Sequence, residues 1–193
     1  MLRAAVFLLA SSAAFAQFRL EPAGEPPSEV APDIVVSLSK SGTKIESDRG
    51  LTLAEIWMRA SAPRIPPPPK SKVAPPGIPP GALVGVVWLA GKGSDMRGQT
   101  IAPGAYTLRY LGASVNADAL HRDYILLSPA SIDKSTRTIT RFDALLDQSR
   151  KVSGTMNPAM FGFWKAGREF KPGIEPSGAD DWVFQTKLGD VPV

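Results

Sequence analysis

Nine prolines stand between Pro63 and Pro80 in APRIPPPPKSKVAPPGIPPG, and no other stretch limits the fold of this chain so strongly. Proline lacks the N–H that a sheet ladder needs and fixes its own φ, so most of this segment is barred from strand and helix interiors. Regular structure must therefore be built on either side of it. A stiff surface loop within one domain explains the segment, and a polyproline ligand offered to a partner is the alternative reading.

On the C-terminal side, ALVGVVWLA at 82–90 is apolar at successive positions, as a strand covered on both faces must be. It is the expected central strand. After a loop at 91–96, GQTIAPGAYTLRY predicts a hairpin: a short strand at 99–101, a type II turn on Pro103-Gly104, and a partner strand at 105–110. Alternation places Tyr106, Leu108 and Tyr110 on an inward face and turns Thr107 and Arg109 toward water. Further strands are expected at 124–127, ended by Pro129, at 159–165 and at 182–188. Helical spacing of Phe142, Leu145, Leu146 and Ser149 predicts a helix over 140–152, with Thr140-x-x-Asp143 as a capping box and Gly154 just past its end.

On the N-terminal side, TKIESDRGLTLAEIWMR reads as a hairpin turning at Asp48-Arg49-Gly50, with Trp57 in the core. DIVVSLSK at 33–40 fits helix or strand periodicity; Pro32 suits a first helical turn and Gly42 a stop, which favours a short helix. Residues 17–32, rich in Pro, Glu, Ala and Gly, carry too little apolar bulk to offset chain entropy and are expected to be a mobile tether. The expected fold is mainly β: one domain over 33–193, an antiparallel β-sandwich or flattened barrel with one or two short helices.

The first sixteen residues, MLRAAVFLLASSAAFA, combine one Arg, a short apolar run and an A-x-A ending, the pattern of a cleaved signal peptide. An uncleaved membrane anchor is the competing reading, but the run is shorter than the roughly 18–20 residues that span a bilayer. No later segment is long and apolar enough to span. Export to the periplasm or beyond is therefore expected. Cysteine is absent, so neither a disulfide framework nor a lipid-modified cysteine is available. The net charge of +4 is spread along the chain without a basic stripe interleaved with aromatics, which argues against nucleic acid as a partner.

His121 is the only histidine, which removes metal sites built on two imidazoles and every histidine dyad. It lies beside Asp118 and Asp123, yet no G-x-S-x-G elbow presents a serine nucleophile to it. Asp180-Asp181, Glu169, Glu175 and Asp95 are loop carboxylates from which a glycoside hydrolase would draw its pair. Calcium ligands are present at Asp180-Asp181 and at Asn116, Asp118 and Asp123, without EF-hand spacing. GKGSDMRG at 91–98 is glycine-rich but lacks the Gly-Lys-Ser/Thr ending of a phosphate loop, so no cofactor is implied. Of four tryptophans, Trp57 and Trp88 fall on buried strand positions, which leaves Trp164 and Trp182 as aromatic candidates for a surface site. The candidate ligand-binding residues are thus Trp164, Trp182, His121 and Asp123.

The stretch VGVVWLAGKGSDMRGQTIAPGAYTLRY at 84–110, with its P-G-x-Y-T-L-R-Y core, resembles uncharacterised exported bacterial proteins that share a signal peptide and this hairpin. The likeness extends through RDYILLSP and FDALLDQSRKVSG, and residues 102–108 are similar to an A-G-T-Y-S-L hairpin in another exported β-rich family. The resemblance implies export and β architecture, and it brings no catalytic residue. The expectation is a non-catalytic exported β-sandwich that binds a ligand or partner of the cell envelope, with a polysaccharide hydrolase using loop carboxylates as the alternative.

Overall fold

The computed structural model describes residues 18–64, 77–112, 123–163, 166–167, 169–177 and 181–193. The elements are β1 (Arg19–Ala23), α1 (Pro32–Ser37), β2 (Gly42–Glu46), β3 (Thr52–Met58), β4 (Leu83–Leu89), β5 (Gly93–Ser94), β6 (Thr100–Ile101), β7 (Gly104–Tyr110), β8 (Asp123–Pro129), α2 (Phe142–Ser153), β9 (Met160–Phe163), β10 (Gly173–Pro176), β11 (Trp182–Gln185), β12 (Lys187–Leu188) and β13 (Val191–Pro192). Seven strands form one large curled antiparallel sheet in the order β1-β2-β3-β4-β7-β8-β9, and β5–β6, β10–β11 and β12–β13 form two-stranded ribbons. The chain is mainly β with two short helices, as its periodicity requires. Among the described residues no helix is long and apolar enough to cross a membrane.

Strand β4 lies at the centre, and both of its faces are covered. Val87 joins Tyr106, Leu108, Ile125 and Leu127 in the larger core, while Val86 packs with Trp57, Ile34 and Leu38 on the opposite face. A register shift between Leu83 and Gly85 puts Leu83 in the same core as Val86 and Val84 in the same core as Val87, three positions apart instead of two. Helix α1 has proline in its first turn and buries Ile34 completely while leaving Val36 in solvent, so helical spacing decides 32–37. Burying such a side chain contributes about 1.5–3 kcal/mol. The helix stops at Leu38, which turns extended and bridges Arg59, and Gly42 opens β2. In α2, Leu145, Ser149 and Val152 face inward and Gly154 closes the helix in the left-handed conformation.

Five expectations need correction. Part of the proposed tether is strand β1, paired with β2 from Arg19↔Glu46 to Ala23↔Gly42. Its composition suits an edge: Arg19 and Glu21 put charge there, and Pro22 removes a donor. Phe18 then anchors it by meeting the Trp182 ring edge-on, centroids 4.4 Å apart. Second, β6 pairs with β5 rather than with β7, whose neighbours are β4 and β8. Two seven-residue partners outweigh a two-residue one, and Gly104, at φ 146°, already sits in the ladder opposite Leu89 instead of in a turn. Third, Thr107 and Arg109 are fully buried, not wet.

Fourth, α2 begins after Arg141 without a side-chain cap, and Phe142 is exposed. The preceding Ile139 donates its N–H to Gly81 O at 3.1 Å, which holds Thr140 outside the first turn. Fifth, 182–188 is two strands: β11 pairs with β10 and β12 with β13. Trp182–Gln185 is half-buried at every position, so no single wet face develops there. Most of the proline segment lies outside the described residues.

Candidate functional site

Of the residues singled out as binding or catalytic candidates, Trp182, Asp123, Asp95, Glu169, Glu175 and Asp181 are described. Trp182 is half-buried against Phe18 at an interplanar angle of 87°, so one aromatic neighbour already occupies it. Asp123 is buried and accepts the Tyr110 hydroxyl at 2.7 Å. Burial, reinforced by that carboxylate, pushes the Tyr110 phenol well above its ordinary value. Trp164 and His121 lie outside the described residues, as do Asn116, Asp118 and Asp180.

Asp95, a loop carboxylate available in principle for hydrolysis, is buried and organises its own loop. Its carboxylate accepts the backbone N–H groups of Arg97 and Gln99, both at 2.9 Å, the Gln99 side-chain amide at 2.7 Å and the Met160 N–H at 3.3 Å. Three of those contacts hold the 95–99 loop and the fourth reaches strand β9, so one carboxylate joins the two. Glu169, Glu175 and Asp181 are exposed. Among the described residues no three His, Asp or Glu side chains come together as a metal site would need.

Beneath the helix-bearing face lies a buried ionic knot. The Arg109 guanidinium donates Nε to Asp133 Oδ2 at 2.7 Å and Nη2 to Oδ1 at 2.6 Å, a bidentate pair with both side chains out of solvent. Its remaining donors reach the carbonyls of Gly81, Arg137 and Ser135, so all five guanidinium hydrogens have acceptors. The Thr107 hydroxyl also donates to Asp133. This arrangement is structural: it ties β7 to the 130–139 segment and leaves no group free to act on a ligand.

A cavity of about 330 Å³ opens elsewhere, between the β2–β3 hairpin and the C-terminal β12–β13 ribbon. The extended segment after α1 is held there because Ser39 N–H donates to Met58 O at 2.8 Å and Ala60 N–H to Ser37 O at 3.0 Å. The ribbon is tied from the other side by the Gly189 N–H, which donates to Arg59 O at 3.1 Å. Gly189 has φ 60°, and a Cβ there would lie 2.8 Å from Ala62 N, so this approach requires glycine.

Ile56 and Met58 give the cavity its apolar lining, Ser39, Ser41, Thr43 and Thr186 give hydroxyls, the exposed Lys187 adds a positive charge, and Arg59 and Ala60 complete the wall. Among the described residues no carboxylate or imidazole lines it. Arg59 Nε is buried without a hydrogen-bond partner among the described residues. Burial, with repulsion from Arg109 added, holds the Arg59 guanidinium below its ordinary value. The lining therefore offers hydroxyls and a lysine ammonium as hydrogen-bonding groups. Sequence reading missed this site because its residues come from three separated segments, each with ordinary Ser, Thr, Lys and Gly content.

The fold and cavity define a mainly β chain with a partly polar concave site. No protein-family model, curated protein or solved structure matches it.

Proposed function

We propose that this chain is an exported, non-catalytic β-sandwich protein that binds a small ligand or partner of the cell envelope, and that the ligand enters the cavity between β3 and β12. The observation that carries the reading is the chemistry of the lining: hydroxyls and a lysine beside apolar side chains in a concave site, with no carboxylate or imidazole among the described residues that line it. The leader-like first sixteen residues and the resemblance of the 103–110 segment to exported bacterial proteins support the location.

The test has two parts. Cell fractionation of the expressed chain is expected to find a shortened form outside the cytoplasm. Thermal-shift screening against monosaccharides, sugar acids, lipids and divalent ions is expected to give at least one saturable stabilisation that Ser41→Trp, at the exposed rim, abolishes. A stabilising ligand insensitive to that substitution would place binding elsewhere and refute the reading.

A further inference from the structure

We propose that Met96 and Met156 form a methionine-oxidation site, at which a peroxide converts two surface thioethers to sulfoxides while the fold stays intact. The inference is independent of the cavity between β3 and β12. The chain has five methionines and no cysteine, so a two-electron oxidant finds its sulfur only in thioethers. Four of the five are described, and they divide sharply: Met156 is 79% and Met96 45% exposed, whereas Met58 is 8% and Met160 6% exposed. Met58 belongs to the larger core and Met160 packs with Leu126 and Leu145, while neither Met96 nor Met156 joins a core. An oxidant that must reach the sulfur from solvent therefore meets two open thioethers and two shielded ones.

The two open methionines stand on loops that are joined to each other. Gln99 is the link: the Thr155 hydroxyl donates to its Oε1 at 2.7 Å, and its Nε2 donates to Pro158 O at 3.3 Å. The backbone under each methionine is pinned. Met96 N–H donates to Met160 O at 3.1 Å, within the loop that Asp95 organises, and Met156 O accepts Arg150 Nε at 2.8 Å. In the reaction the thioether sulfur attacks one peroxide oxygen, so that an S–O bond forms as the O–O bond breaks. Sulfur is oxidised by two electrons, and the departing hydroxide takes the proton of the transferred oxygen and leaves as water. No core packing is lost at either position. What changes is the two-loop surface, where flexible apolar side chains become polar ones.

Peptide mass spectrometry of the full chain after graded treatment with hydrogen peroxide, with fragmentation to separate Met156 from Met160, tests this. Met156 and Met96 are expected to gain one oxygen each about tenfold faster than Met58 and Met160, with the near-ultraviolet circular dichroism of the folded chain retained. Unfolding in urea is expected to bring all four to similar rates. Met96→Leu combined with Met156→Leu is expected to abolish the fast uptake and to leave the slow uptake as it was. Equal rates at all four methionines in the folded chain, a difference that persists in urea, or loss of the folded signal once only Met96 and Met156 are oxidised overturns the proposal.

Discussion

Arg109 and Asp133 meet as a planar, bidentate pair with almost no solvent exposure, Nε to Oδ2 at 2.7 Å and Nη2 to Oδ1 at 2.6 Å. Two opposed charges have left water together, and backbone carbonyls complete the hydrogen bonding of the arginine. Breaking such a pair leaves an uncompensated buried charge, at a cost of about 3–5 kcal/mol. Asp133→Ala is expected to lower stability by that amount in urea unfolding. Arg109→Met combined with Asp133→Leu is expected to recover much of the loss, since it removes both charges. Equal destabilisation by the single and double variants would argue against the knot as an ion pair.

Gly81 sits against the same knot and shows what the backbone demands there. Its φ is 82°, and a Cβ would lie 1.9 Å from Ile139 O. Gly50 has a similar φ of 72° with nothing within 4 Å. Backbone strain alone costs about 1–3 kcal/mol. Gly50→Ala is expected to lose no more than that, whereas Gly81→Ala loses clearly more because Ile139 must move. Thermal unfolding of the two variants side by side checks the difference.

Asp95→Ala removes the acceptor of four hydrogen bonds at once. Each donor left buried and unsatisfied costs about 1–3 kcal/mol, with water relieving those near the surface. The expected signature is local: amide exchange at Gln99 and Met160 accelerates, while amides of β4 keep the protection set by global stability. Acceleration spread evenly through the sheet would contradict a local role for Asp95.

Tyr110 gives a pH dependence with a definite sign. Its folded-state value is raised by burial and by the Asp123 carboxylate, so above the unfolded value, near pH 10, the unfolded chain holds fewer protons than the folded one. The stability contribution is complete below that pH and is lost as pH rises toward the folded value. Tyr110→Phe is expected to lower stability at pH 7 by about 1–3 kcal/mol, because the buried Asp123 loses a donor. It is also expected to flatten the decline above pH 10. Tyr106, raised by burial alone, retains its share of that decline.

Much of the sheet was legible where the signal is local. The two-sided apolar run of β4, the turn at Gly50 and the Pro32 start of α1 each follow from chemistry within a few residues. What was not legible depends on partners far along the chain. Arg109 alternates correctly for an outward residue and is buried only because Asp133, 24 residues later, arrives beside it. Strand β1 looks like a linker until the edge of β2 and the Trp182 ring are brought to it. The candidate cavity was hidden for the same reason, since its hydroxyls and its lysine are ordinary until the C-terminal ribbon is tied to Arg59. Trp182, an aromatic candidate from its position in the sequence, meets the Phe18 ring edge-on.

The most direct test of the central claim, that ligand binds between the β2–β3 hairpin and the C-terminal ribbon, is amide chemical-shift mapping of the best-binding compound on the labelled chain. The account predicts that the largest shifts fall in three separated segments, 39–43, 56–60 and 186–189. Shifts centred instead on 173–185, around Trp182, would contradict it and return the site to the aromatic surface.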